Sequence, residues 1–319
     1  MYLQSSIVFM QDYGVCIAVI LFCIRQVRIL RNAFPNESPQ HTLLKKGNFP
    51  MSHQPCDPVQ LQNTLSGIRK KIIVLSGKGG VGKSTVAVNL AAGLAVRGNN
   101  VGLLDTDLHG PSVPKMLGLE RHSISGDGER IVPVELYGGK LRVMSIQFVL
   151  RQLHDSVIWR GPLKHSVISQ FIGCTVWGAL DYLIIDSPPG TGDEPLSAVQ
   201  TAKPDGAVIV TTPQDVATFD VRKTIDFCEK LSLPVLGVIE NMSGFVCPHC
   251  GRLTAIFGAG GGETMAREAG IPFLGSIPIE PEFVLSSDKG KTCMDMDSGM
   301  PGRRSMEAIL DRIAGTSIH

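Results

Sequence analysis

The sequence predicts an α/β fold in which a parallel β-sheet is covered by helices on both faces. Three observations carry this. Near-continuous apolar runs recur at 71–76, 101–105, 182–186, 207–210, 235–239 and 273–275, the pattern of strands buried on both sides. Segments of helical spacing separate them, clearest at 214–231 and 260–270, which gives the βα alternation of a parallel sheet. Between the first apolar run and the first helical segment sits Gly77-Lys78-Gly79-Gly80-Val81-Gly82-Lys83-Ser84-Thr85. This stretch fits G-x-x-x-x-G-K-[ST] in the strand-to-helix setting that the motif requires.

The glycines of that stretch let backbone N–H groups turn inward around a β-phosphate, and the following helix adds the partial positive charge of its N-terminus. Lys83 is placed to reach the β/γ oxygens and Ser84 to ligate Mg²⁺. A P-loop NTPase is therefore expected. Lys78 exceeds what an ordinary P-loop needs. The form KGGVGK[ST] is the deviant Walker A signature shared by MinD, ParA and the arsenite-pump ATPase, and in those proteins the extra lysine resembles an arginine finger that reaches a dimer partner's phosphates.

The chain has 319 residues, 43% hydrophobic and 18% charged, which suits one large domain. A net charge of +1 and 6% aromatic residues leave no basic footprint and few stacking platforms, so nucleic acid is not an expected partner. Eight cysteines without a disulfide-like framework point to a reducing, cytoplasmic setting.

Residues 1–50 differ in character from the rest of the chain. The apolar run at 14–24 is too short for the roughly 20 residues of a bilayer span, and Arg25, Arg28 and Arg31 come after it where a signal peptide would place its basic residues first. Lys45-Lys46-Gly47 must be encoded by a purine-rich, ribosome-binding-site-like string shortly before Met51. We read 1–50 as a non-functional extension with the start mis-called; a membrane anchor is the alternative. Residues 51–70 read as a loose, polar lead-in closing in a short helix, with Cys56 alone in it, and residues 71–315 as the P-loop domain.

Three acidic or polar positions stand where strands end, the edge at which open α/β sheets bind ligands. Asp107 lies just past the run at 101–105 and reads as a water-positioning residue. Asp186 closes the run at 182–186 in the Walker B manner, orienting Mg²⁺-bound water. Gly190, in Pro188-Pro189-Gly190-Thr191-Gly192-Asp193, can bring a backbone N–H to a γ-phosphate as a nucleotide-sensing switch. Asn241 lies just past the run at 235–239, and with no Asn-Lys-x-Asp in the chain it is read as an adenine reader, making ATP the nucleotide. Residues 120–145, with Gly126, Gly128, Gly138 and Gly139, are expected to form a hairpin beside the main sheet. Cys247-Pro248-His249-Cys250 offers two thiolates to one metal or cluster, but such sites take four ligands. The geometry closes most simply if two chains each give Cys247 and Cys250 across a two-fold axis.

Taken together, the stretches 76–85, 104–114, 159–162, 185–193, 240–244 and 247–250 resemble the Mrp/ApbC family of iron–sulfur cluster carrier ATPases, over about residues 69–315. The resemblance implies a MinD-like (SIMIBI) P-loop fold, a homodimer, slow ATP hydrolysis and a 4Fe–4S cluster bridged between subunits by the two cysteine pairs. The cluster would be received from upstream scaffold proteins and passed to recipient apo iron–sulfur proteins. It also implies the roles given above for Lys78, Lys83, Ser84, Asp107, Asp186 and Asn241. Two other readings stay open from the residues. A MinD- or ParA-type positioning ATPase would use the same P-loop at a membrane or on DNA; Met306, Ile309, Leu310 and Ile313 make an apolar stripe near Arg303, Arg304 and Arg312, but no aromatic anchors it and a membrane is not expected. A zinc-stabilised regulatory NTPase would use the same cysteines, since thiolate pairs suit zinc as well as iron.

Overall fold

The structure is a computed structural model that describes residues 54–315, apart from 109, 127–128, 150–160 and 248. The expectations for residues 1–50, and the Trp159-Arg160 part of the family resemblance, lie outside the described residues. Among them, one sheet of nine strands runs in the order β10-β9-β8-β1-β7-β2-β6-β5, with β11 pairing β9. The P-loop strand β1 (Ile68–Leu75) lies in the middle, between β7 (Leu180–Asp186) and β8 (Gly206–Thr211), and is parallel to both. β2 (Val101–Asp105) and β6 (Leu141–Ser145) extend the parallel sheet beyond β7. Only β5 (Val134–Leu136) and β10 (Leu253–Thr254), at the two ends of that order, pair antiparallel within it. Parallel strands this apolar need cover on both faces, and Ile73, Val74, Leu103, Leu183 and Val208 are fully buried.

The cover comes from the helices. α1 (Pro58–Ser66) precedes β1, and α2 (Lys83–Val96) comes after the P-loop. The single turn α3 (Val113–Met116) comes after β2. α4 (Gly161–Gly173), α5 (Asp193–Ala202), α6 (Asp215–Lys230), α7 (Gly261–Glu268), α8 (Pro281–Asp288) and α9 (Pro301–Gly315) complete the set. The stripe on α9 is spent on the core: Met306, Ile309, Leu310 and Ile313 are buried, and Leu310 packs so closely on α2 that a Cβ at Gly93 would lie 2.4 Å from it. No described helix is long and apolar enough to cross a membrane.

Four local readings change. The hairpin expected over 120–145 is present only in part. Only β3 (Ser125–Gly126) and β4 (Ile131–Val132) form a small two-stranded ribbon, whereas β6 joins the main sheet beside β2, burying Leu141, Val143 and Met144. β9 (Val235–Val246) does not end at Ile239 but runs on past Asn241, held by β11 (Phe273–Ile279) on one stretch and β10 on the next. The lead-in is docked, not loose: Gln170 Nε2 donates to Gln54 O at 2.7 Å and Thr64 Oγ1 to Gly173 O at 3.0 Å, both on or beside α4. Cys56, in that lead-in, does not stand alone, because its sulfur meets Cys174.

Candidate functional site

The strand register gathers the chemistry. Val74 pairs with Asp186, and Asp186 with Asp105, so β1, β7 and β2 end side by side. Beyond these ends the P-loop closes over a cavity of about 210 Å³. Lys78, Gly79, Gly80, Gly82, Lys83, Ser84 and Thr85 line it, with Asp107 and Pro189 opposite. Val81 is buried beneath the loop.

Two glycines of the loop are fixed by close approach. A Cβ at Gly77 would lie 2.4 Å from the Asp220 carbonyl oxygen of α6. Gly82 has φ +80°, a conformation glycine adopts readily, and a Cβ there would lie 2.1 Å from Asn241 Nδ2. Asn241 Nδ2 in turn donates to Val81 O at 2.9 Å. Asn241 therefore stands against the P-loop, with its amide N–H already engaged.

Below the loop lies a buried ionic cluster. Lys83 Nζ is ion-paired and hydrogen-bonded with Asp186 Oδ1, and lies 3.2 Å from Ser84 Oγ. Asp186 is fully buried, and its Oδ2 has no hydrogen-bond partner among the described residues. Asp105 is also fully buried, accepting from Ser145 Oγ at 3.0 Å and from the Asp107 N–H at 3.1 Å. Burial, and then the Asp186 charge, hold the Asp105 carboxyl well above the usual carboxylate range. Two carboxyls thus stand beside one ammonium, and the like charge of Asp186 adds to burial in disfavouring the ionised form of Asp105. The sequence places Asp105 at a strand end but gives it no role, and nothing in it marks Ser145; the strand register brings both to the site.

Two flanking segments complete the cavity edge. Asp107 Oδ1 accepts from the Gly110 N–H at 2.9 Å, closing a tight turn after β2. Gly190, at φ +89°, donates its N–H to Ser76 O at 2.9 Å. Lys78 Nζ lies 3.5 Å from Gln214 Oε1.

The cysteine pair sits on the hairpin between β9 and β10. Cys247 N–H donates to Arg252 O at 3.0 Å and Gly251 N–H to Cys247 O at 2.8 Å, which closes the turn. Backbone N–H groups of His249 and Cys250, and then the Cys250 thiol, lower the Cys247 pKa; Cys250 is exposed. No group of three or more His, Cys, Asp or Glu able to hold a metal occurs among the described residues. Glu240, one residue before Asn241, opens the stretch 240–244 that takes part in the family resemblance, but the sequence gives it no role of its own. It is fully buried and accepts from Ser243 Oγ at 2.5 Å, Gly260 N–H at 2.9 Å and Gly262 N–H at 2.6 Å. It thereby ties β9 to the start of α7.

Known proteins resemble this chain over most of its length. Residues 67–314 match the family described as ParA: NUBPL iron-transfer P-loop NTPase. A cytosolic Fe-S cluster assembly factor NUBP2 homolog from Nematostella vectensis is 50% identical over 256 residues, 78% of this chain and 94% of that protein. An iron-sulfur cluster carrier protein from Methanocaldococcus jannaschii is 46% identical over 259 residues, covering 80% and 89%. Among solved structures, an Archaeoglobus fulgidus nucleotide-binding protein in complex with ADP is 42% identical with a TM-score of 0.66, covering 76% of this chain and 92% of that one. The MinD cell division protein of Aquifex aeolicus, 23% identical with a TM-score of 0.58 over 78% and 98%, shares the fold. The central P-loop strand, the cavity above it and the cysteine hairpin are thus features of a chain that belongs to the NUBPL-type iron-transfer P-loop NTPase family.

Proposed function

We propose that the protein is a homodimeric carrier that binds and slowly hydrolyses ATP, holds a 4Fe–4S cluster between its two subunits and passes it to apo iron–sulfur proteins. The observation that carries this reading is the path of β9. One strand bears Asn241, in contact with the P-loop, and ends next to Cys247. Five residues, 242–246, separate Asn241 from Cys247 along that strand. A change in the P-loop has a direct mechanical route to the cysteines.

In this reading ATP lies in the P-loop cavity. Lys83 leaves Asp186 for the β/γ oxygens, Asn241 offers its Oδ1 to the adenine amino group, and Lys78 of each chain reaches the partner's phosphates. Ser84 and Asp186 would hold Mg²⁺; the buried, unpartnered Asp186 Oδ2 suits a hydrated cation. When bound, Mg²⁺ offsets the negative charge of the phosphates. Asp107 orients the attacking water. Gly190 exchanges its bond to Ser76 O for one to the γ-phosphate, so that its segment reports which nucleotide is present.

The cluster is cargo. Two thiols per chain are half of the usual ligand set; His249 lies inside the pair and no group of three or more side chains able to hold a metal occurs among the described residues, so a two-fold partner is the simplest source of the rest. The working unit spans residues 71–315 with the lead-in docked on it, and 1–50 lies outside it. The relatives named cytosolic, together with six free thiols among the described residues, support a reducing, cytoplasmic setting. Upstream scaffold proteins would load the cluster.

The test is anaerobic reconstitution with iron and sulfide, and then absorption spectroscopy, metal analysis and transfer to an apoprotein. The reading expects one 4Fe–4S cluster per dimer, abolished in Cys247→Ser and in Cys250→Ser with ATP binding intact. Full iron content in the double mutant would sink the bridging arrangement. Zinc in place of iron after anaerobic purification would move the protein to a zinc-stabilised NTPase.

A further inference from the structure

Away from the nucleotide cavity and the cysteine hairpin, the structure brings together two thiols that neither chemistry uses. Cys56 Sγ lies 3.1 Å from Cys174 Sγ, across 118 residues of sequence. The approach is fixed from both sides. On the lead-in side, Cys56 N–H donates to Ser169 Oγ at 3.2 Å, and Gln54 O accepts from Gln170. On the other side, Cys174 N–H donates to Gln170 O at 2.8 Å, closing the last turn of α4. The fit is tight enough that a Cβ at Gly173 would lie 2.5 Å from the Cys56 sulfur.

The two thiols differ in access. Cys56 is buried, whereas Cys174 is half-buried and lines an open cavity of about 630 Å³. Asp57, Asn63, Glu129 and Arg130 share that wall with Val59 and Val176, so the cavity offers charged as well as apolar sides to a small molecule. One reachable thiol with a second, sheltered thiol in contact behind it is the arrangement of an attacking and a resolving cysteine. Two thiols merely filling a core would have no need of a solvent-lined opening at one of them.

We propose that Cys56 and Cys174 form a reversible dithiol–disulfide pair, oxidised by a small-molecule disulfide of the glutathione class that enters through this cavity. Cys174 thiolate attacks one sulfur of the small disulfide, giving a mixed disulfide and releasing one small-molecule thiolate, which takes up a proton from solvent. Cys56, having given its proton to solvent, attacks Cys174 Sγ and the second small thiolate leaves. In sum, two protein thiols and one small disulfide become one protein disulfide and two small thiols, with two electrons passing to the small molecule. Burial, and then the hydrogen bond with Cys174, push the Cys56 thiol up to about 12, so the second step is the slow one at neutral pH. The bond fastens the lead-in to α4, and the Lys164–Glu194 ion pair links α4 to α5 next to the Gly190 segment. A pair in a reducing compartment would stay open until glutathione becomes oxidised.

The test uses the full chain carrying Cys16→Ser, Cys23→Ser, Cys247→Ser and Cys250→Ser, which leaves only the buried Cys228 and Cys293 beside the pair. After treatment with glutathione disulfide, peptide mapping should find a Cys56–Cys174 cross-link, and Tm should rise by about 3–8 °C because a long loop has been closed. Dithiothreitol should reverse both. With Cys56→Ser added, the reaction should stop at a glutathione adduct on Cys174, with no rise in Tm. A stable adduct on Cys174 in the presence of Cys56, or two thiols that remain open to alkylation after treatment, would overturn the proposal. So would protection of both thiols by zinc without any oxidant.

Discussion

Lys83 and Asp186 neutralise one another in a buried place, and removing one partner of such a pair costs about 3–5 kcal/mol because the other is left charged and unsolvated. Lys83→Ala should therefore lose tight ATP binding and stability together, whereas Lys83→Ala/Asp186→Asn should recover most of the lost Tm and still bind no ATP. Calorimetry of ATP binding alongside thermal melts separates the two; a double variant that regains ATP binding would remove Lys83 from the phosphates. Lys78 is a different case, since its ammonium meets Gln214 at the long distance of 3.5 Å and is exposed there. Lys78→Ala should melt and bind ATP like the parent and hydrolyse it about 10³-fold more slowly, and turnover at the parental rate would end its in-trans role. The sequence made these lysines legible because the motif fixes residue type and spacing at once. It did not reveal that the Asp105 carboxyl is held above the usual carboxylate range. Asp105 differs from Asp186 only in what surrounds it, and its neighbours Asp186 and Ser145 come from strands far along the chain.

Among the elements, β9 was the least legible. Met242 at φ +58° and Gly244 at φ +77° put turn-like backbone inside a strand, and Asn, Ser and Gly there read as loop residues. Only pairing with β11 and β10 keeps the strand going, and such partners cannot be seen locally. β6 escaped for a related reason: a short run interrupted by Arg142 becomes a sheet strand once β2 pairs with it. The core strands β1, β2, β7 and β8, rich in buried apolar residues, were plain from sequence. The anchor of the extended β9 is Glu240. Glu240→Ala strips three donors of their acceptor, two of them backbone N–H groups at the start of α7. We expect a loss of about 2–4 kcal/mol, read as a drop of about 5–12 °C in Tm, with weaker retention of iron because the hairpin loses its base. Glu240→Gln, keeping the shape and one acceptor, should fall between. An unchanged Tm in Glu240→Ala would show that the three bonds are replaced by water.

For the molecule as a whole, the proposal that the working unit excludes residues 1–50 predicts that a chain beginning at Met51 is dimeric and as active as the full chain. Size-exclusion with light scattering and an ATPase assay decide this, and loss of either property would give the first fifty residues a role. The sheet order also bears on how the protein comes into being. β1, which carries the P-loop, finds its partners β7 and β8 only after more than a hundred further residues. At synthesis rates of about 5–20 residues per second, the first strand waits on the order of ten seconds outside the ribosome with its apolar residues unpaired. Pairing of such high sequence separation is slow by nature. Nascent chains stalled at residue 200 should bind no ATP and be captured by holding chaperones, and the ability to retain nucleotide should arrive late and abruptly, once the strand that ends at Thr211 has emerged.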